Sequence, residues 1–171
     1  MPTSPRSVLF LCTGNSARSV LAEALLASLG KGRFRTFSAG SNPKGEVHPM
    51  AVAVLRDRDL PHEGFRSKSW SEFAGVDAPP IDYIITVCDN AAGETCPVWP
   101  GRPIAAHWGI EDPAAVAGSG QRQAFIDALG HLRKRIERFV ALPLADLSDA
   151  EVRAALRDIG NETGATGMAA G

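Results

Sequence analysis

Val8-Leu9-Phe10-Leu11-Cys12-Thr13-Gly14-Asn15-Ser16-Ala17-Arg18-Ser19 is the stretch on which the reading turns. Four apolar residues run into a cysteine, a short polar turn follows, and an arginine opens a new periodicity. Residues 7–11 read as a buried strand. Residues 18–29 read as a helix, with Val20, Leu21, Ala24, Leu25 and residues 27–29 on its apolar face and Gly30 as its stop. A strand that turns directly into a helix presents backbone N–H groups with no intrahelical partner, and these can ring a tetrahedral oxyanion. Thr13, Gly14, Asn15, Ser16 and Ala17 would form that ring, Gly14 and Asn15 tolerating the backbone angles it requires. Arg18 would add a planar fork of donors. The same positive field favours a thiolate at Cys12, and Ser19 could donate to its sulfur, giving a nucleophile at the base of an anion site. A buried structural cysteine is the plain alternative. It leaves the glycine, the arginine and the helix start unexplained together.

Working outward, residues 33–38 read as a second strand containing Phe34 and Phe37, and residues 47–58 as a helix with Pro61 beyond it. Residues 81–87 are rich in β-branched side chains and form the clearest strand, and residues 103–108 a fourth. Phe125, Leu129, Leu132, Ile136 and Phe139 mark a long amphipathic helix over 121–140. Ser148-Asp149-Ala150-Glu151 is a capping-box pattern opening a helix over about 149–159, with Gly160 as its stop. The expected organisation is one domain over 1–160 with its core at about 7–140, followed by a flexible Gly/Ala-rich tail at 161–171. Strands alternating with helices predict an α/β fold, an open parallel sheet with helices on both faces, whose ligands sit beyond the carboxyl ends of the strands. Cys12, Cys88, and His107 with Trp108 all fall at that edge.

The chain has 171 residues, 44% hydrophobic and 22% charged, with a formal net charge of −1. This fits a globular protein and leaves no global basic footprint, so nucleic acid is not an expected partner. No apolar run approaches the roughly 20 residues needed to span a bilayer, and 8–11 is too short for a signal-peptide core. The expectation is a cytoplasmic protein with no membrane association. In that compartment, cysteines such as Cys12, Cys88 and Cys96 are reduced by default and serve chemistry more often than structure.

Residues 8–23 resemble the opening of the low-molecular-weight protein tyrosine phosphatases, and resemble more closely the arsenate reductases that share their fold, which read Cys-Thr-Gly-Asn-Ser in the loop. Phe37-Ser38-Ala39-Gly40 is similar to the family's second strand. Cys88-Asp89-Asn90-Ala91-Ala92-Gly93-Glu94 with Cys96-Pro97 is similar to the reductase redox segment, and His107-Trp108-Gly109-Ile110-Glu111-Asp112-Pro113 to its acid loop. The resemblance spans about 7–140. It implies a four-stranded parallel sheet, Cys12 as nucleophile, Arg18 as oxyanion clamp and Asp112 as general acid. Read unaided, Asp112 is a carboxylic acid able to protonate a leaving oxygen, or simply a turn aspartate before a proline.

A phosphatase needs one cysteine, whereas a reductase must find two electrons. Small and polar residues fill the seven positions between Cys88 and Cys96, so this segment could move and bring Cys88 onto Cys12. In the implied cycle Cys12 attacks arsenate, Cys88 resolves the adduct to a Cys12–Cys88 disulfide, and Cys96 passes the disulfide outward. No bound cofactor or metal is expected. The reductant would be an external thiol system, thioredoxin or glutathione with glutaredoxin. Thioredoxin-coupled relatives carry six residues between the last two cysteines, not seven, which leaves the reductant open. Some relatives bind potassium through positions matching Asn15, Glu23 and Ser38 plus an aspartate. Here that last position holds Lys68, whose ammonium is a candidate internal substitute for the cation, paired with Glu23.

Two other readings compete. A tyrosine phosphatase would use the same loop through a Cys12 phosphoenzyme, but Asp112-Pro113 is followed by Ala114 and Ala115 rather than by aromatic residues. An oxyanion-binding or redox-sensing module would use the cradle without turnover. His48, His62, His107 and His131 lack a metal-ligand spacing. The basic run Arg133-Lys134-Arg135 with Arg138 reads as a solvated helix face, and Trp70, Trp99 and Trp108 as packing residues, with Trp108 bordering the pocket.

Overall fold

The computed structural model describes residues 4–89 and 99–166. Its strands are β1 (Arg6–Cys12), β2 (Phe34–Gly40), β3 (Tyr83–Thr86) and β4 (Ile104–His107). Its α-helices are α1 (Arg18–Leu29), α2 (Pro49–Asp57), α3 (Gln121–Val140) and α4 (Asp149–Gly160). The strands form one parallel sheet in the order β2-β1-β3-β4.

β1 is central and buried on both faces, so it reads as an unbroken apolar run. Val8, Phe10 and Cys12 point to one face. There they join a single apolar cluster with α1, α2, α3 and α4, including Leu21, Leu25, Leu55, Phe125, Ile136 and Leu156. Leu9 and Leu11 point to the other face beside Ala39 of β2 and Ile84 of β3, and among the described residues Phe73 of the short 3-10 helix Trp70–Phe73 packs onto it, with Trp70 and Trp99 edge-on at its rim. No helix among the described residues is long and apolar enough to cross a membrane.

The element boundaries move where tertiary contacts decide them. β2 continues to Gly40 because its parallel register with β1 carries through to the Cys12–Gly40 pair. α2 begins at Pro49 rather than at 47, since His48 caps it: the imidazole Nδ1 accepts from the Met50 N–H. α4 carries the expected capping box, with Ser148 and Glu151 bonded reciprocally.

Two expectations give way. Arg135 does not lie on a solvated helix face but is fully buried, donating to the carbonyl oxygens of His131, Thr163 and Glu162 at 2.8, 3.2 and 3.0 Å. Nor do residues 161–166 trail away as a tail. They turn back along α3, pair Ala165 with Ile110 in an antiparallel bridge, and donate the Thr166 N–H to the Gly109 carbonyl at 3.1 Å. The buried guanidinium and these backbone bonds hold a segment whose composition predicts fraying.

Candidate active site

At the carboxyl edge of the sheet, residues 12–18 wrap a hollow of about 250 Å³ lined also by Asn42, Lys44, Asp112 and Ala114. α1 starts at this hollow with Ala17 as N-cap and no side-chain cap, and no acidic residue sits in its first turn. No side chain therefore claims the cap bond at this helix start, and the dipole faces the hollow unopposed.

Asn15 fixes the loop's shape. It is fully buried with φ of 45°, a left-handed conformation that asparagine tolerates better than most residues. Its amide Nδ2 donates to Ser19 Oγ and Ser38 Oγ, both at 2.9 Å, and its Oδ1 accepts from the Lys68 N–H at 2.9 Å. Gly40 lets β2 pass close beneath: a Cβ there would sit 2.4 Å from the Thr13 carbonyl oxygen. Ser67 Oγ and the Lys44 N–H both donate to the Gly14 carbonyl, each at 3.0 Å, so that this carbonyl faces away from the hollow's donors.

Cys12 lies at the floor of the hollow, buried, and Cys88 is its neighbour across the sheet: Leu11 is in register with Thr86, and Thr13 Oγ1 lies 3.6 Å from the Cys88 sulfur. That neighbour and burial push the Cys12 thiol well up from its ordinary range. The Arg18 charge and the Thr13 backbone act in the opposite direction. The sequence expectation of a thiolate settled by the helix start and Arg18 therefore omits Cys88 and burial, which both act against the charged form. Cys88 follows β3 by two residues, with Thr13 Oγ1 3.6 Å from its sulfur, and most of the segment between Cys88 and Cys96 lies outside the described residues. Ser19 accepts from Asn15, and among the described residues no bond from Ser19 to the Cys12 sulfur is formed.

Arg18 reaches across the hollow. Its Nη1 donates to the Ile110 carbonyl at 2.9 Å, and its Nη2 lies 3.7 Å from Asp112 Oδ2. Part of the expected fork is thus used to hold the acid loop. Its Nε is buried with no hydrogen-bond partner among the described residues. A buried unsatisfied donor beside a thiol and an uncapped helix start is what an oxyanion would complete. Asp112 caps the turn, its Oδ1 accepting from the Ala114 N–H at 3.0 Å, while its Oδ2 faces Arg18 and its side chain lines the hollow.

Behind the loop lies the charge network around Lys68. Ser38 Oγ donates to Glu23 Oε1 at 2.6 Å, and Lys68, nearly buried, donates from Nζ to the Arg66 carbonyl at 3.1 Å. Burial raises the Glu23 carboxyl and depresses the Lys68 ammonium, and their mutual attraction opposes both shifts. Among the described ion pairs the ammonium is not paired with Glu23; its bond is to the Arg66 carbonyl.

Cys96 lies outside the described residues. Sequence reading overlooked Asn42 and Lys44, whose signal was their position just past the end of β2. It also overlooked the group formed by Asp89, His107 and Thr166, in which His107 Nε2 and Thr166 Oγ1 lie 2.7 and 2.6 Å from Asp89 Oδ1. Trp108 is a packing residue, fully buried against Phe10 and Phe139, with Nε1 donating to the Leu156 carbonyl.

Comparison with known proteins places this geometry among relatives. Residues 7–150 match the low molecular weight phosphotyrosine protein phosphatase family. An arsenate reductase of Bacillus licheniformis is 32% identical over 139 residues, covering 80% of this chain and 96% of that protein. A glutaredoxin arsenate reductase of Synechocystis is 29% identical, covering 80% and 97%. The solved structure of an arsenate reductase in the phosphate binding state superposes with a TM-score of 0.66 at 28% identity, covering 80% of this chain and 97% of that one.

Proposed function

The chain belongs to the low molecular weight phosphotyrosine protein phosphatase family, and from that premise we propose that it is an arsenate reductase. The observation that carries this reading is a second thiol at the anion loop: Cys88 follows β3 beside Cys12, its sulfur 3.6 Å from Thr13 Oγ1. Phosphoryl transfer has no use for a second thiol there, whereas reduction of arsenic requires one. The arsenate reductases among its relatives support the same conclusion.

Arsenate enters the hollow, where the loop N–H groups and the Arg18 Nε bind its oxygens. The Cys12 sulfur attacks arsenic while Asp112 protonates the oxygen that leaves as water. Cys88, as thiolate, then attacks the Cys12 sulfur. The S–S bond forms, the S–As bond breaks, and its electron pair stays on arsenic, which departs as arsenite. Cys96 exchanges with Cys88 and carries the disulfide to an external thiol reductant. The Synechocystis relative favours glutaredoxin with glutathione, and thioredoxin is the other donor to be tried.

Lys68 serves as a built-in positive charge behind the loop. It balances the half-buried Glu23 electrostatically, and its own backbone N–H holds Asn15. Turnover is then equal in potassium and sodium buffers. Potassium stimulation would remove this role from Lys68.

The decisive assay follows arsenite formed from arsenate with glutaredoxin plus glutathione, or with thioredoxin plus its reductase. Wild type turns over with one of the two, Cys12→Ser is inactive, and Cys88→Ser stalls after a single adduct. Undiminished multiple turnover by Cys88→Ser would overturn the cycle. A phosphatase reading is favoured by the family match alone. Among the described residues no aromatic side chain lines the hollow, so it fits a small oxyanion better than a phosphotyrosine ring, and only slow aryl phosphate hydrolysis is expected.

A further inference from the structure

The matched family domain ends at residue 150, yet the chain continues through most of α4 and back to the active-site edge. Considerable structure is committed to bringing this extension there. Buried Arg135 grips the Glu162 and Thr163 carbonyls, and Arg138 pairs with Asp158 and Glu162. Gly160 packs against β4 so closely that a Cβ would sit 2.6 Å from the His107 carbonyl oxygen. Ala165 pairs with Ile110, and Thr166 donates its N–H to Gly109. The end result is one hydroxyl, Thr166 Oγ1, donated to Asp89 Oδ1 at 2.6 Å.

Asp89 immediately follows Cys88. The same Oδ1 meets His107 Nε2 at 2.7 Å, and the other imidazole nitrogen, Nδ1, meets Thr86 Oγ1 at 2.6 Å. One imidazole therefore bridges the residue two before Cys88 and the residue one after it. Space for this arrangement is reserved at Gly109, where a Cβ would come within 2.3 Å of Thr166 Oγ1, 2.6 Å of His107 Nε2 and 2.7 Å of Asp89 Oδ1.

We propose that His107, Asp89 and Thr166 are positioning residues that hold the Cys88 sulfur against Cys12 for the disulfide-forming step, with the C-terminal extension supplying the last of the three. None of them touches the oxyanion hollow, so they act on Cys88 and not on the attack by Cys12. Disulfide exchange requires the attacking thiolate to approach in line with the bond it breaks, and a fixed turn around Cys88 maintains that approach. This inference rests on the reductase reading for its biological setting, but its geometry is tested without arsenate.

The test compares wild type with Thr166→Val, which removes the hydroxyl at nearly constant shape, and with Thr166→Ser. Three rates are measured: arsenite turnover, hydrolysis of an aryl phosphate (which uses Cys12 alone), and formation of the Cys12–Cys88 disulfide on adding diamide, mapped by mass spectrometry. Diamide takes up the two electrons and two protons of the thiol pair. Thr166→Val should slow both disulfide formation and arsenite turnover by about tenfold, the equivalent of one hydrogen bond, leave aryl phosphate hydrolysis unchanged, and be restored by Thr166→Ser. Equal loss in all three rates would mean a general structural defect, and no loss in disulfide formation would mean that Cys88 is placed without the extension. Either result overturns the inference. If wild type makes no arsenite, the reductase reading falls, while the diamide rates still decide the positioning role.

Discussion

The anion loop and the C-terminal extension meet at the same edge of the sheet and are held there by different means. The loop is tied by Asn15, whose side chain makes three bonds to Ser19, Ser38 and the Lys68 N–H inside a fully buried setting. The extension is tied at several separate points: buried Arg135 on its carbonyl oxygens, Arg138 on Asp158 and Glu162, the Ala165–Ile110 bridge and the Thr166 hydroxyl on Asp89. The first arrangement fixes the directions of N–H groups and so governs chemistry on the anion. The second delivers a segment to a place and so governs which thiol lies next to which. Damage to the two regions should accordingly have different signatures.

Asn15→Ala should produce the largest effect. It removes three buried hydrogen bonds and places a residue less tolerant of left-handed backbone at φ of 45°, at a cost of about 3 kcal/mol in unfolding free energy. Urea unfolding should show this loss, and arsenite turnover and aryl phosphate hydrolysis should fall together. Separate behaviour of the two activities would break the contrast drawn here.

Arg135→Met comes next. Two of its carbonyl partners belong to the extension, which can regain water, so the loss should be about 2 kcal/mol. Hydrogen exchange at the Ala165 and Thr166 amides should accelerate, while oxyanion affinity, read by phosphate inhibition, stays constant. Weakened phosphate binding would show that the extension reaches the loop after all.

Gly109→Ala sharpens the comparison further, since its methyl would collide with the Asp89, His107 and Thr166 group. A cost of about 1–3 kcal/mol is expected from overpacking, with disulfide formation slowed more than aryl phosphate hydrolysis.

The smallest effect is one of pH. The Cys88 contact is the largest influence raising the Cys12 thiol. Cys88→Ala removes it, so Cys12 should ionise at lower pH and the half-point of its alkylation by iodoacetamide should move down. An upward move would mean that Cys88 stabilises the Cys12 thiolate instead.

Much of this architecture is legible from short-range patterning. The span of α1, that of α3, and the Ser148 capping box all depend on contacts within a few residues, where apolar periodicity and cap chemistry dominate. The loop is legible for the same reason, because strand, glycine and helix start are contiguous. His48 as a cap, Arg135 as a buried clamp and Lys44 at the mouth of the hollow were not. A histidine before a proline, an arginine in a basic run and a lysine in a turn look alike in sequence whatever they face.

The sequence by itself determined the parallel α/β framework and the placing of Cys12, Arg18, Cys88 and Asp112 at strand ends or helix starts, since strand and helix periods are local properties. Only the tertiary structure decided that Cys88 lies beside Cys12 and Thr13, that Arg18 divides its donors between the hollow and the acid loop, and that residues 161–166 return to the active-site edge. Those outcomes depend on the depth and direction of side chains from segments up to 92 residues apart. A buried guanidinium or a pair of neighbouring thiols acquires its behaviour from desolvation and neighbours that no local pattern encodes.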